Sequence, residues 1–148
     1  MTHDELLKRL PHRAPMVLVD RIVDCRPGEH VTAEYDVPHE AFWTSGHFPQ
    51  RAIFPGVLIA EAIAQTAALV GLSATPPNGD DNLCYLVGLD RFRVRRMVVP
   101  GETLRLSATL QRKRLGFYVF EGSAVVGEDV VATGSWLAAS GPAPEETA

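Results

Sequence analysis

Cysteine is nearly missing from this chain, and with it the signatures of disulfide frameworks and structural metal sites. Cys25 and Cys84 are the only two, in no ligand or redox spacing. They read as free thiols in a reducing compartment, so cytoplasmic residence is expected. No cluster of metal ligands accompanies them, and neither a metal nor an organic cofactor is expected. Basic charge is not in excess: 14 Lys and Arg stand against 18 Asp and Glu, and the net charge of −4 argues against nucleic acid as the main partner. No secretory leader is expected, because the opening MTHDE carries acid where a signal peptide needs a basic region and then an apolar run. No apolar run is long enough for a membrane span either. The nearest, Val57 to Leu72, counts 16 residues and holds Glu61, Gln65 and Thr66.

A helix so apolar on every side has to be wrapped by the rest of the protein. Ahead of it, Asp4 to Leu10 reads as a short amphipathic helix closed by Pro11. Met16 to Cys25 reads as a strand, Pro27-Gly28 as a turn, and His30 to Val37 as a second strand. A helical turn is expected around Glu40 to Trp43, then a Gly- and Pro-rich loop from Ser45 to Pro55, with Pro55-Gly56 opening the apolar helix. Thr75 to Asp81 is a loop. The β segments that follow, Leu83 to Arg95, Thr103 to Arg114, Phe117 to Val126 and Val130 to Ala139, are separated by turn residues. The order predicts an α+β fold, an antiparallel sheet curled around one long central helix. No repeat or linker is visible, so one domain over residues 1–140 is expected, with 141–148 (GPAPEETA) a disordered tail. One sheet of this size cannot enclose the helix on all sides, and a second copy is expected to cover the rest.

Candidate chemistry lies where polar residues occupy apolar or tightly turned places. Glu61 has apolar neighbours at every other position from 57 to 64, and Gln65 is four residues on, within side-chain reach. A carboxylate removed from water without a partner costs on the order of several kcal/mol, so it is paired, protonated or employed. A buried glutamate satisfied by Gln65 and a neighbouring strand fits this pattern as well as a catalytic acid does. His47 lies in the rigid turn Gly46-His47-Phe48-Pro49; a lone loop histidine is more often surface decoration. Yet it stands nine residues before Gly56 and 14 before Glu61. The N–H groups at the start of a helix suit a developing oxyanion. A base, an acid and an oxyanion donor in one short segment suit elimination beside a thioester carbonyl.

The segments LPHR at 10–13 and LVDR at 18–21, GHFP at 46–49 and PGVLIAEAIAQ at 55–65 resemble the β-hydroxyacyl-acyl carrier protein dehydratases of fatty acid synthesis. Leu89-Asp90 and VVPGE at 98–102 continue the likeness in the same order. The resemblance implies the hotdog fold, with His47 the catalytic histidine, Glu61 the catalytic acid and Gly56 the N–H donor to the thioester oxygen. Phe48, Pro49 and Gln65 support them. It also implies a homodimer whose sites take His and acid from different subunits, three dimers often forming a hexamer, and an acyl carrier protein bearing a phosphopantetheine-linked acyl chain as partner. Gln50, Arg51, Ala52 and Phe54 depart from the usual loop, as do Ala14, Met16 and Met97. They leave acyl preference open between fatty acid and polyketide-type synthesis.

On this reading His47 takes the proton next to the thioester carbonyl and Glu61, kept protonated by apolar surroundings, gives one to the leaving hydroxyl. His12 reads as a structural member of its turn. Strand periodicity puts Arg91, Arg93 and Arg95 on the face of Leu83, Tyr85, Val87 and Leu89. With Arg96, and with Arg112, Lys113 and Arg114 on a later strand, they offer a basic patch for an acidic carrier protein, or simply a solvated strand end. The rival readings are a hotdog thioesterase, an enoyl hydratase, and a non-catalytic acyl-binding subunit of a heterodimer.

Overall fold

Burial of one apolar helix organises the chain. The computed structural model describes residues 1–76 and 83–141. Helix α1 (His3–Leu7) opens with a capping box: the Thr2 hydroxyl accepts from the Glu5 N–H, and the Glu5 carboxylate accepts from the Thr2 N–H at 2.7 Å. It stops short of the expected Leu10 because Arg9 and Leu10 turn back onto the carbonyls of Leu6 and Leu7. Strands β1 (Arg21–Arg26) and β2 (His30–Asp36) form a hairpin, and α2 (Gly56–Ser73) follows. Then come β3 (Leu83–Val94), β4 (Thr103–Arg114), β5 (Phe117–Val126) and β6 (Asp129–Gly141). All pair antiparallel in one six-stranded sheet of order β1-β2-β4-β5-β6-β3. This is the sheet-around-helix arrangement read from the sequence. The expected loop from Thr75 to Asp81 and tail from 141 to 148 lie mostly outside the described residues.

The sheet wraps α2 because alternate residues of its strands are apolar on one face. Leu104, Leu106 and Ala108 of β4, Phe120 and Ala124 of β5, and Trp136 of β6 are all essentially inaccessible. They meet Ile59, Ile63, Leu69 and Val70 of the helix. The Trp136 indole N–H donates to the Ala60 carbonyl at 3.0 Å, which fixes helix against sheet. Gly122 makes this approach possible: a Cβ there would lie 2.5 Å from Ile63 Cγ2 and 2.7 Å from the Trp136 ring.

Three expectations need correction. The strand expected from Met16 begins only at Arg21, because residues 16–18 spend backbone groups on the Gln65 side chain instead of on a ladder. Residues 42–46 form turns closed by His47 N–H to Trp43 O, without a helix. The apolar helix counts 18 residues, so length alone does not set it apart from a membrane span; its burial, Glu61 and Gln65 do. Its wrapping by the one sheet is incomplete, as expected. Val57 is 77% exposed, and Glu61 and Ala64 are half-buried on the same stripe. That stripe lies towards β3, an edge strand whose Leu86 and Leu89 are 45% and 43% exposed although their β6 partners, Ala138 and Trp136, are buried.

Strand β3 also breaks the expected arginine face. Register shifts between Leu86 and Gly88, and between Asp90 and Arg93, insert extra residues, and Arg91 adopts a φ of 52°. Each insertion reverses which way the following side chains point. Leu89 therefore stands opposite Trp136 on the helix side, whereas Arg93 stands opposite Thr133 on the outer side.

Candidate active site

His47 is set by its loop. Phe54 anchors the segment between Tyr35 and Trp43, with ring centroids 5.6 and 5.2 Å away, and its N–H donates to Val98 O. The neighbouring backbone closes on itself, Ile53 N–H to His47 O and Phe48 N–H to Arg51 O. His47 Nδ1 lies 2.8 Å from the Ile53 carbonyl, which can only accept. Nδ1 therefore carries the hydrogen, and in the neutral ring Nε2 is left with a bare lone pair. Phe48 stacks on the imidazole at 4.3 Å, and Pro49 beside it is exposed.

Gly56 begins α2 behind Pro55, which offers no side-chain cap, so the first-turn N–H groups are not claimed by a capping side chain. A Cβ on Gly56 would come within 3.3 Å of Val94 Cγ2, which places the helix start beside the end of β3. One turn and a half further on is Glu61. Gln65, 1% exposed, ties it to the chain before β1: its Oε1 accepts from Leu18 N–H at 2.9 Å, while its Nε2 donates to Met16 O at 2.7 Å and to Glu61 Oε1 at 3.1 Å.

Sequence reasoning missed the partner of this glutamate. His12 Nε2 lies 3.4 Å from Glu61 Oε1, the oxygen that Gln65 also holds. The turn that carries it is anchored by buried Leu10 and Leu18, and Arg13 braces it by donating to the carbonyls of Leu10 and His12 at 2.8 and 2.7 Å. Arg9 secures the same segment to the end of α2 by donating to the carbonyls of Leu72 and Thr75. The available signal was a histidine between two leucines that had to be buried. The expectation that apolar surroundings keep Glu61 protonated is corrected here. The His12 hydrogen bond holds its carboxyl below the usual carboxylate value; burial opposes this and Gln65 adds to it.

Two adjoining cavities open from this point. The smaller, about 220 Å³, is lined by His12, Glu61, Gln65, Leu86 and Trp136 among others. The larger, about 660 Å³, runs past Leu10, Leu72, Tyr118 and Phe120. Both include His12, Ala68 and Cys84. His47 lines neither, and no hydrogen bond or ion pair joins it to Glu61 among the described residues. Within one chain, then, Glu61 and Gln65 stand together with His12, while His47 and Phe48 form a separate group.

The arginines also divide. Arg96 is engaged by Glu102 at 2.7 Å and Asp129 at 3.3 Å, and Arg91 reaches Asp90 and Glu121. Arg93 and Arg95 are exposed.

Comparison with known proteins places residues 10–135 in the family of the FabA-like domain. A 3-hydroxyacyl-[acyl-carrier-protein] dehydratase FabZ of Nitrosospira multiformis is 44% identical over 130 residues, 86% of this chain and 88% of the relative. The dehydratase heterocomplex ApeI:P from Xenorhabdus doucetiae matches with a TM-score of 0.77 at 22% identity, over 92% of this chain and 90% of that one. A mutant of the fluoroacetyl-CoA-specific thioesterase FlK matches with a TM-score of 0.62 at 17% identity, over 80% and 89% of the two chains. At these identities the two solved structures speak for the fold alone, and dehydratase and thioesterase share it.

Proposed function

Because the chain belongs to the FabA-like family of hotdog proteins, we propose that it is a 3-hydroxyacyl-[acyl-carrier-protein] dehydratase of fatty acid-type synthesis, acting as one domain in the cytoplasm. The observation that carries this reading is the Nδ1–H of His47 on the Ile53 carbonyl, which leaves Nε2 as a base. In the reaction the Cα–H bond breaks and its proton goes to Nε2. The electron pair forms the Cα–Cβ double bond, the Cβ–O bond breaks, and the hydroxyl leaves as water with a proton from Glu61. The Gly56 N–H at the uncapped start of α2 donates to the thioester oxygen as negative charge grows on it, a contribution of about 10²–10³ in rate. General acid and base catalysis adds roughly 10²–10⁴ for each group.

Glu61 needs a proton to act as acid, and in the open chain His12 and Gln65 favour the carboxylate. Covering the cavity with an acyl chain strengthens the opposing desolvation, so the carboxyl takes up its proton as the site closes. A second copy of the chain supplies the remainder of that cover. Support for it comes from the edge strand β3, whose exposed Leu86 and Leu89 adjoin the open stripe of α2, and from His47 lying apart from Glu61 in its own chain. Each site then takes His47 from one subunit and Glu61 from the other. The exposed Arg93 and Arg95 flank Val94, the neighbour of Gly56, which favours docking of an acidic carrier protein at the oxyanion end of the site.

One observation favours a second reading. An ionised Glu61 suits activation of water against the thioester carbonyl, the chemistry of a thioesterase. Incubation with a 3-hydroxyacyl thioester separates the two. Enoyl absorbance rising without free thiol is the expected result, and loss of that signal by at least about 100-fold in His47→Ala and in Glu61→Gln supports the two assignments. Free thiol appearing in place of the enoyl product overturns dehydration.

A further inference from the structure

Glu61 has two oxygens, and the chain treats them differently. Gln65 Nε2 and His12 Nε2 both approach Oε1, at 3.1 and 3.4 Å, whereas no hydrogen bond to Oε2 is formed among the described residues. The other end of the His12 ring is buried, and Nδ1 has no hydrogen-bond partner among the described residues. A buried N–H without an acceptor loses about 1–3 kcal/mol, whereas a bare ring nitrogen in the same place leaves no donor unsatisfied. The ring therefore keeps its hydrogen on Nε2, facing Glu61. The backbone around it is stiff, since Arg13 clamps the carbonyls on either side of Pro11 and Leu10 is buried.

We infer that His12 is a positioning residue for the proposed dehydration: by donating Nε2–H to Oε1 of Glu61, it turns Oε2 towards the cavity as the oxygen that carries the catalytic proton. The inference rests on Glu61 being the acid, and extends that assignment to a single oxygen and to the group that selects it. Gln65 alone does not suffice, because only one of its two N–H groups reaches Glu61, the other being on Met16 O, and one donor leaves the carboxyl free to rotate about its last bond. Other ionisable groups lining the small cavity are Cys84 and Tyr85 of β3; Arg13 is turned away onto backbone carbonyls. Removing the His12 donor takes away the largest influence holding the Glu61 carboxyl down and leaves burial as the largest remaining one, so its titration moves to higher pH.

The test compares His12→Leu, which has no donor, with His12→Gln, which retains one. In the full-length protein, His12→Leu is expected to lower kcat for a 3-hydroxyacyl thioester about 10–100-fold, the scale of a misplaced reacting group, with KM nearly unchanged. The Glu61 limb of the pH–kcat/KM profile moves up, and His12→Gln restores most of both. The carboxyl carbon of Glu61, followed by NMR with labelled glutamate, reports the same upward move without any turnover. That measurement separates the inference from the dehydratase reading: a wild-type protein that fails to dehydrate sinks the latter, while the NMR titration still judges the former. A Glu61 titration at the same pH in wild type and in both variants overturns the inference. So does a His12→Gln variant as slow as His12→Leu with the limb unmoved, since that is how a merely structural turn residue behaves.

Discussion

Substituting Gln65 by leucine removes the link between the helix and the segment before β1, and the structure sets the size of the effect. The side chain is 1% exposed and makes three hydrogen bonds, to Leu18 N–H, Met16 O and Glu61 Oε1. Leucine fills much of the same volume, so little cavity is created. What it cannot do is pair the Leu18 N–H, buried beneath a side chain 1% exposed, or the Met16 carbonyl. An unsatisfied buried backbone group costs about 1–3 kcal/mol, which puts the loss at about 2–4 kcal/mol once the half-exposed Met16 is counted at the low end. Native stability of about 5–15 kcal/mol leaves the variant folded. The melting midpoint should fall by about 5–15 °C for a chain of this length. Calorimetry at one fixed protein concentration measures it, because the midpoint of an assembling protein depends on concentration. Turnover should fall as well, as Glu61 loses one of its two donors. A midpoint within about 2 °C of wild type would refute the reasoning, showing that segment 16–18 does not depend on this amide.

Gly122→Ala should destabilise by about 1–3 kcal/mol, read in the same calorimetric experiment, because the new methyl lands 2.5 Å from Ile63 Cγ2 in a region with no room to yield. Charge reversal at Arg93 and Arg95 should raise KM for a carrier-bound substrate several-fold more than for a small thioester analogue, measured side by side at low salt. The Arg21 guanidinium, at 2.7 and 2.9 Å, holds the Asp36 carboxyl down to about 2 from its usual 3.8. A lowered carboxyl contributes stability that is present above the unfolded value and lost as pH falls through the folded one. The loss therefore lies between about pH 4 and pH 2. Both side chains are about half exposed, so solvent screening limits the contribution to at most about 1 kcal/mol, and Asp36→Asn should flatten the acid end of the stability curve by no more than that.

Features with a local cause were legible in the sequence. The apolar run behind Pro55-Gly56 is α2 almost to the residue, and the strands from Thr103 onward follow the turn residues that separate them. Features with a distant cause were hidden. Met16 to Leu18 has strand composition, yet its backbone is claimed by Gln65, 47 residues beyond Leu18. Perfect alternation was assumed along β3, and two register shifts overturned the face of its arginines. Glu61 was visible as a carboxyl among apolar residues, but its partner, 49 positions earlier in the chain, was read as a structural turn residue. Its expected protonation followed from counting apolar neighbours, a count blind to a donor arriving from another segment. His47 was singled out as a candidate by its turn alone, while the tautomer that leaves its Nε2 lone pair bare depends on the Ile53 carbonyl, which the turn does not reveal.

Whether His47 and Glu61 meet across two chains can be measured by mixing His47→Ala with Glu61→Gln protein under conditions that exchange subunits. Each mixed dimer then holds one site with both groups intact and one with neither. Random exchange of equal amounts makes half the dimers mixed, so dehydration should return to about a quarter of the wild-type rate from two inactive parents. A mixture that exchanges subunits and stays inactive would contradict a site shared between chains.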